Sequence, residues 1–236
     1  MILFYRQLGE SGQPLVILHG LFGSGDNWQT HAKQWSQYFQ VFIMDNRNHG
    51  HSAHDEEMNY DVMAMDLKAT LDHLKLSKVH LLGHSMGGKM AMRFAQLFPN
   101  YVEKLIVLDM GIKAYPPHHQ LIFDGIAAVH VEDCSSRKEA ENRLAPYVAE
   151  LSTQQFLLKN LYWENENTLA WRFNLFALKT NIHHIISSLP SVICHTRTLF
   201  LFGGKSNYVL ATDHEEMTTS FPHCTFECIP EAGHWV

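Results

Sequence analysis

Ser85 stands between glycines in "VHLLGHSMGGKM", Val79 to Met90, with Gly83 two residues before it and Gly87 two residues after. An apolar run precedes this G-x-S-x-G pentapeptide and a helix-like run follows it, which is the strand, turn and helix context of a nucleophile elbow. A serine in such a turn has a strained backbone, so its neighbours two positions away must be small. The turn projects the hydroxyl at the carboxyl end of a sheet, and the helix start beneath it favours developing negative charge. The chemistry implied is attack on an acyl carbonyl. A structural turn that happens to contain a serine is the bland alternative, and only the surrounding pattern weighs against it.

A serine hydroxyl needs a neighbouring base to take its proton. Of seventeen histidines, His234 in "IPEAGHW" follows the last apolar run, where a loop can return to the carboxyl edge of the sheet. His118, His119, His183 and His184 read as surface or cap-lining residues, and neither H-E-x-x-H nor a Cys/His spacing supports a metal site. No cofactor is expected. A tetrahedral oxyanion needs two N–H donors. Met86, directly after the serine, supplies one, and Leu21 in the glycine-rich "HGLFGSGDNW" is the expected second. The alternative there is an ordinary glycine turn capped by Asp26 before a helix.

The elements that must position these groups are legible as apolar runs of strand length: "LVILHG", "VFIMD", "VHLLGH", "KLIVLDM", "TLFLFGG" and "TFECIP". Continuous apolarity suits strands covered on both faces, as in a parallel sheet. Between runs lie helical patterns. Asn59 is placed to cap "YDVMAMDLKATLDHLKL", with Val62, Met65, Leu67, Ala69, Leu71, Leu74 and Leu76 along one side. "MGGKMAMRFAQLF" is a second helix, stopped by Pro99. The expected fold class is α/β, with a doubly wound, mostly parallel sheet. Residues 1–110 and 191–236 form its core. From 111 to 190 no strand pattern appears, and "RKEAENRLAPYVAEL", "TQQFLLKNLYW" and "LAWRFNLFALKTNIHHIISSL" read as helices of an inserted cap rather than a structureless loop. The last of these offers Phe, Trp, Leu and Ile for an apolar acyl pocket, or simply for packing the cap on the core.

The 236 residues, 46% of them apolar, are enough for one large domain with a modest insertion. A net charge of −6 without basic blocks speaks against nucleic acid and anionic membranes as partners. No stretch reaches the ~18 apolar residues needed to span a bilayer, and the start lacks a signal-peptide pattern. A soluble, cytoplasmic protein is expected. Cys134, Cys194, Cys224 and Cys228 lack C-x-x-C spacing, and the thiols of "CTFEC" would lie roughly 13 Å apart on a strand, so reduced cysteines are expected.

Together, "HGLFGSGDNW", "DNRNHGHS", "GHSMGG" and "GHW" resemble the α/β-hydrolase superfamily, in order and in separation. "LDMGIKAYPPHH" and "GGKSNYV" narrow the resemblance to the small bacterial YbfF-type esterases. It implies hydrolysis of small-molecule acyl esters, with fatty acyl-CoA thioesters among the substrates. The superfamily's acid usually follows the strand here written "TLFLFGG", but that position is Ser206. Asp109, ending the neighbouring "KLIVLDM" on the same edge, is the preferred acid. Asp213, or a Ser85 and His234 pair assisted by Ser206, stands as the alternative. Asp45 and Arg47 are expected to form an internal ion pair. Resembling proteins continue past this histidine into a helix packed on the sheet, so that helix is expected outside the 236 residues.

The leading expectation is therefore a serine hydrolase working through a Ser85, His234, Asp109 triad and an acyl-enzyme. A lyase or cofactor-free haloperoxidase on the same serine and histidine is the enzymatic alternative. A ligand-binding homologue with decayed catalysis is the non-enzymatic one. Dehalogenase chemistry would need an aspartate where Ser85 stands.

Overall fold

The computed structural model describes residues 1–236. Its main sheet contains β1 (Tyr5–Leu8), β2 (Gln13–Leu18), β3 (Phe39–Met44), β4 (Val79–His84) and β5 (Val102–Leu108). After a long intervening segment, β8 (Thr198–Gly203) and β9 (Cys224–Ile229) complete it. The strand order is β1-β3-β2-β4-β5-β8-β9, antiparallel only at the β1 edge. All six apolar runs are strands of this sheet. β1 was not expected, because "YRQL" has too little apolar signal; its place comes from edge pairing, Tyr5 opposite Met44. In β2, Val16, Ile17 and Leu18 are all fully buried, which is why no alternation marks the strand.

Three helices frame the first half: α1 (Gln29–Trp35), α2 (Tyr60–His73) and α3 (Met86–Leu97). Asn59 caps α2 as expected, its side-chain oxygen accepting from Asp61 N–H and Val62 N–H, a contribution of about 1 kcal/mol. The buried stripe of α2 differs from the expected one. It runs through Met63, Ala64, Leu67 and Leu71, and Met65 is 55% exposed, being two residues out of phase with that stripe.

Between β5 and β8 lie α4 (Gln120–Ala128), α5 (Arg137–Leu144), α6 (Leu151–Leu158), α7 (Leu175–Thr180) and α8 (Ile182–Ile186). This segment is not wholly helical: β6 (Leu161–Trp163) and β7 (Leu169–Trp171) form an antiparallel hairpin. Strands of three residues are too short for periodicity to reveal. The two ends of the segment are stitched together, Tyr115 N–H to Ile186 C=O and Leu189 N–H to Ile112 C=O, both 2.8 Å. Beneath the stitch, the fully buried Lys89 of α3 donates its Nζ to the carbonyls of Lys113 and Ser187. Burial without a carboxylate partner lowers the Lys89 pKa to about 7. A last helix, α9 (His214–Ser220), leads into β9.

The expected Asp45–Arg47 pair does not form. Arg47 instead holds Asp66 of α2, with Nε 2.6 Å from Oδ2 and both side chains buried. Asp45 accepts from the backbone N–H groups of Gly25 and His51, tying two loops together. Asp45 and Arg47, two residues apart and opposite in charge, thus take separate partners, backbone amides for one and Asp66 for the other. No helix is long and apolar enough to cross a membrane, and all four cysteines are free thiols.

Candidate active site

Ser85 sits between the end of β4 and the start of α3 with φ 54° and ψ −121°. A positive φ on a side-chain-bearing residue costs on the order of 1–3 kcal/mol, which the close packing around the turn must sustain. The flanking glycines have steric reasons. A Cβ on Gly83 would lie 2.2 Å from the Gly87 carbonyl oxygen, and one on Gly87 would lie 2.4 Å from that of Leu18.

His234 follows β9 and reaches back over this turn. Its Nε2 accepts from the Ser85 hydroxyl at 3.0 Å, and its Nδ1–H donates to Asp109 Oδ2 at 2.7 Å. Asp109, the first residue past β5, also has a positive φ of 46° and no solvent exposure. Its Oδ1 accepts the Gly203 N–H, and its Oδ2 also accepts the Ser206 hydroxyl. Asp213 is turned elsewhere, bonded to the Lys113 ammonium and the Leu210 N–H. The chain thus brings Ser85, His234, Asp109 and Ser206 into one hydrogen-bonded line at the carboxyl edge of the sheet and leaves Asp213 outside it.

The loop after β2 closes the other side. A Cβ on Gly20 would lie 3.2 Å from that of Ser85, so Leu21 is carried alongside the nucleophile position. Leu21 N–H has no acceptor within the chain. Two imidazoles missed in the sequence hold this loop. His19 Nδ1–H donates to Gly20 C=O while its Nε2 accepts from Asn46 N–H. His49 Nδ1–H donates to Arg47 C=O while its Nε2 accepts from Phe22 N–H. Each ring must be neutral to make both bonds.

Comparison with known proteins places the chain in a family. A family profile described as alpha/beta hydrolase fold matches residues 13–133. The chain is 35% identical to the Escherichia coli protein named esterase YbfF, over 96% of this chain and 88% of that one. The chain belongs to the α/β-hydrolase fold family. It is also 37% identical to the mouse protein named sn-1-specific diacylglycerol lipase ABHD11, over 97% of this chain and 77% of that one. A solved structure named marine microorganism esterase superposes with a TM-score of 0.97 at 39% identity, covering 99% of this chain and 93% of that one. With such relatives, this α/β hydrolase is an enzyme of the esterase and lipase kind.

The hydrolase's site opens into a narrow cavity of about 30 Å³ lined by Leu21, Met86, Tyr115, His119, Ile185 and Tyr208 among others. Of the apolar side chains expected from the segment around Trp171, only Ile185 and Ile186 reach it. Trp171 and Phe173 stack on each other instead, and Phe173 meets Phe22 edge to face. A larger groove of about 840 Å³ lies at the amino ends of the strands, lined by Trp35, His80, Glu103 and Arg197 among others, and it holds none of these reactive groups.

Burial lowers His19 to about 4, His49 to about 3 and His84 to about 4, from an ordinary 6.5. In the unfolded chain these rings take up protons as pH falls below 6.5, whereas the folded hydrolase leaves them neutral until near their lowered values. Stability is therefore complete above about 6.5 and is lost as pH falls toward 4. At pH 5 the loss is on the order of 2 kcal/mol per ring, a sum comparable with a whole domain's stability. The melting temperature is expected to drop by more than about 10 °C between pH 7.5 and pH 5. An unchanged melting temperature would show that these rings are not buried neutral.

Proposed function

We propose that this chain is a serine esterase in which Ser85 Oγ attacks the substrate acyl carbonyl while His234 Nε2 takes its proton. The observation carrying this reading is the unbroken line from a strained Ser85 through His234 to the buried Asp109. Asp109 keeps the proton on Nδ1, leaving Nε2 free to accept, and offsets the positive charge that the ring then acquires. The N–H groups of Leu21 and Met86 receive the oxyanion; removing one such donor elsewhere costs about 3 to 4 kcal/mol. Collapse of the tetrahedral species expels the alcohol or thiol, which takes a proton from His234. Water then attacks the acyl-enzyme by the same route and releases the acid.

The substrate class we propose is small acyl esters, including glycerides as the mouse relative's name suggests, and fatty acyl thioesters. Supporting this, the cavity beside Ser85 is lined mainly by apolar side chains. The segment between β5 and β8 acts as the cap that selects the acyl group, since Ile185 and Ile186 of α8 form part of that lining. The cavity is narrow, about 30 Å³, so short acyl chains are expected to fit it best. Turnover of p-nitrophenyl esters, a diacylglycerol and acyl-CoAs of graded chain length tests this. Hydrolysis of short and medium acyl esters is expected, with long chains slower; no hydrolysis of any ester or thioester would overturn the proposal.

A further inference from the structure

The His234 ring has an aromatic neighbour that the triad logic does not require. Tyr208 stacks on it, with centroids 3.9 Å apart and planes 19° from parallel. Tyr208 is itself fixed at three points. Its N–H donates to Ser206 Oγ at 3.2 Å, and its C=O accepts the Tyr115 hydroxyl at 2.9 Å. Its own hydroxyl donates to His118 Nε2 at 3.0 Å, since His118 Nδ1–H is committed to the Pro116 carbonyl. Burial raises the Tyr208 pKa above its ordinary value, so the hydroxyl keeps its proton near neutral pH. Tyr115 and His118 both lie on the segment running from Asp109 to α4. One tyrosine therefore touches the acid's partner Ser206, the base, and the approach to the cap.

We propose that Tyr208 is a positioning residue for the base: its π face holds the His234 ring in line with Ser85 and Asp109 and stabilises the imidazolium formed during attack. This rests on the serine esterase reading above. When the Ser85 proton moves to Nε2, the ring becomes a cation lying over an aromatic face, the arrangement that the ring quadrupole favours. The other titratable groups facing His234 are Asp109, which accepts its Nδ1–H, and His84 and His119. Burial lowers both histidines to about 4, so neither adds charge near neutral pH. The bonds from Tyr115 and His118 make the placement of Tyr208, and through it the strength of the base, depend on how the cap segment is seated.

The test is kcat and KM across pH 5 to 8 on p-nitrophenyl butyrate for wild type, Tyr208→Phe, Tyr208→Leu and Tyr208→Met, each checked by thermal melting. Tyr208→Phe keeps the stacked ring and is expected to stay within about twofold of wild type. Tyr208→Leu and Tyr208→Met are expected to lose about threefold to tenfold in kcat. In both, the acid limb of kcat/KM is expected to move down by about half a unit to one unit, because the cation loses its support. Leucine and methionine variants that match wild type in kcat and acid limb would overturn the proposal. So would a phenylalanine variant that falls as far as they do, since the hydroxyl rather than the ring would then matter. An inactive wild type would instead remove the esterase reading itself, so the two failures are distinguishable.

Discussion

Ser85→Ala and His234→Ala are each expected to lower ester turnover by about 10⁵ to 10⁶, to a residue left by the oxyanion donors and substrate binding. The two side chains act as one unit, because attack without proton removal and proton removal without a nucleophile both fail. The double variant should therefore be no slower than either single one. Ser85→Ala removes only a hydroxyl from a turn whose shape is set by Gly83 and Gly87, so the fold should persist. His234→Ala leaves Asp109 still bonded to Gly203 N–H and Ser206. Equal melting temperatures would establish that the loss is chemical. Turnover within tenfold of wild type in either purified variant would refute the assignment.

Asp109→Asn is expected to cost about 10³ to 10⁴ in kcat, the scale seen when a triad aspartate becomes an amide. An amide would still fill the site behind β5, but its NH₂ would meet an imidazole N–H and favour the wrong tautomer. Ser206→Ala should cost only about tenfold, since its hydroxyl contributes an ordinary hydrogen bond to a carboxylate that keeps two other donors. Ser206→Asp would place a second carboxylate beside Oδ2 of Asp109. In the Asp109→Asn background it is expected to restore part of the lost turnover. An Asp109→Asn enzyme near wild type, together with collapse in Ser206→Ala or Asp213→Asn, would reassign the acid.

The parts of this site legible in sequence are those with a local signature. Ser85 announces itself through flanking glycines, and the parallel strands through apolar runs, weakest in β9, where Thr225 and Glu227 interrupt the run. His234 and Asp109 can be proposed from sequence only because strand ends can be placed on one edge of a sheet and, for Asp109, because Ser206 stands where the resembling family has its acid. What stayed hidden depends on contacts between distant segments. Nothing local marks His19 and His49 as neutral acceptors for loop amides, or Tyr208 as a stacking partner of His234. The Arg47–Asp66 pair spans nineteen residues, whereas the expected Asp45–Arg47 pair relied on proximity in sequence alone. The β6–β7 hairpin escaped because three-residue strands carry no measurable period.

The most direct test of the central claim is to treat the wild-type protein with a fluorophosphonate and map the adduct by peptide mass spectrometry. Such a probe phosphonylates a serine only where a base and oxyanion donors activate it. The account predicts one adduct per chain, on Ser85, with loss of esterase activity in step with labelling and no labelling of Ser85→Ala. An unlabelled wild type, or an adduct on another residue that tracks the loss of activity, would contradict it.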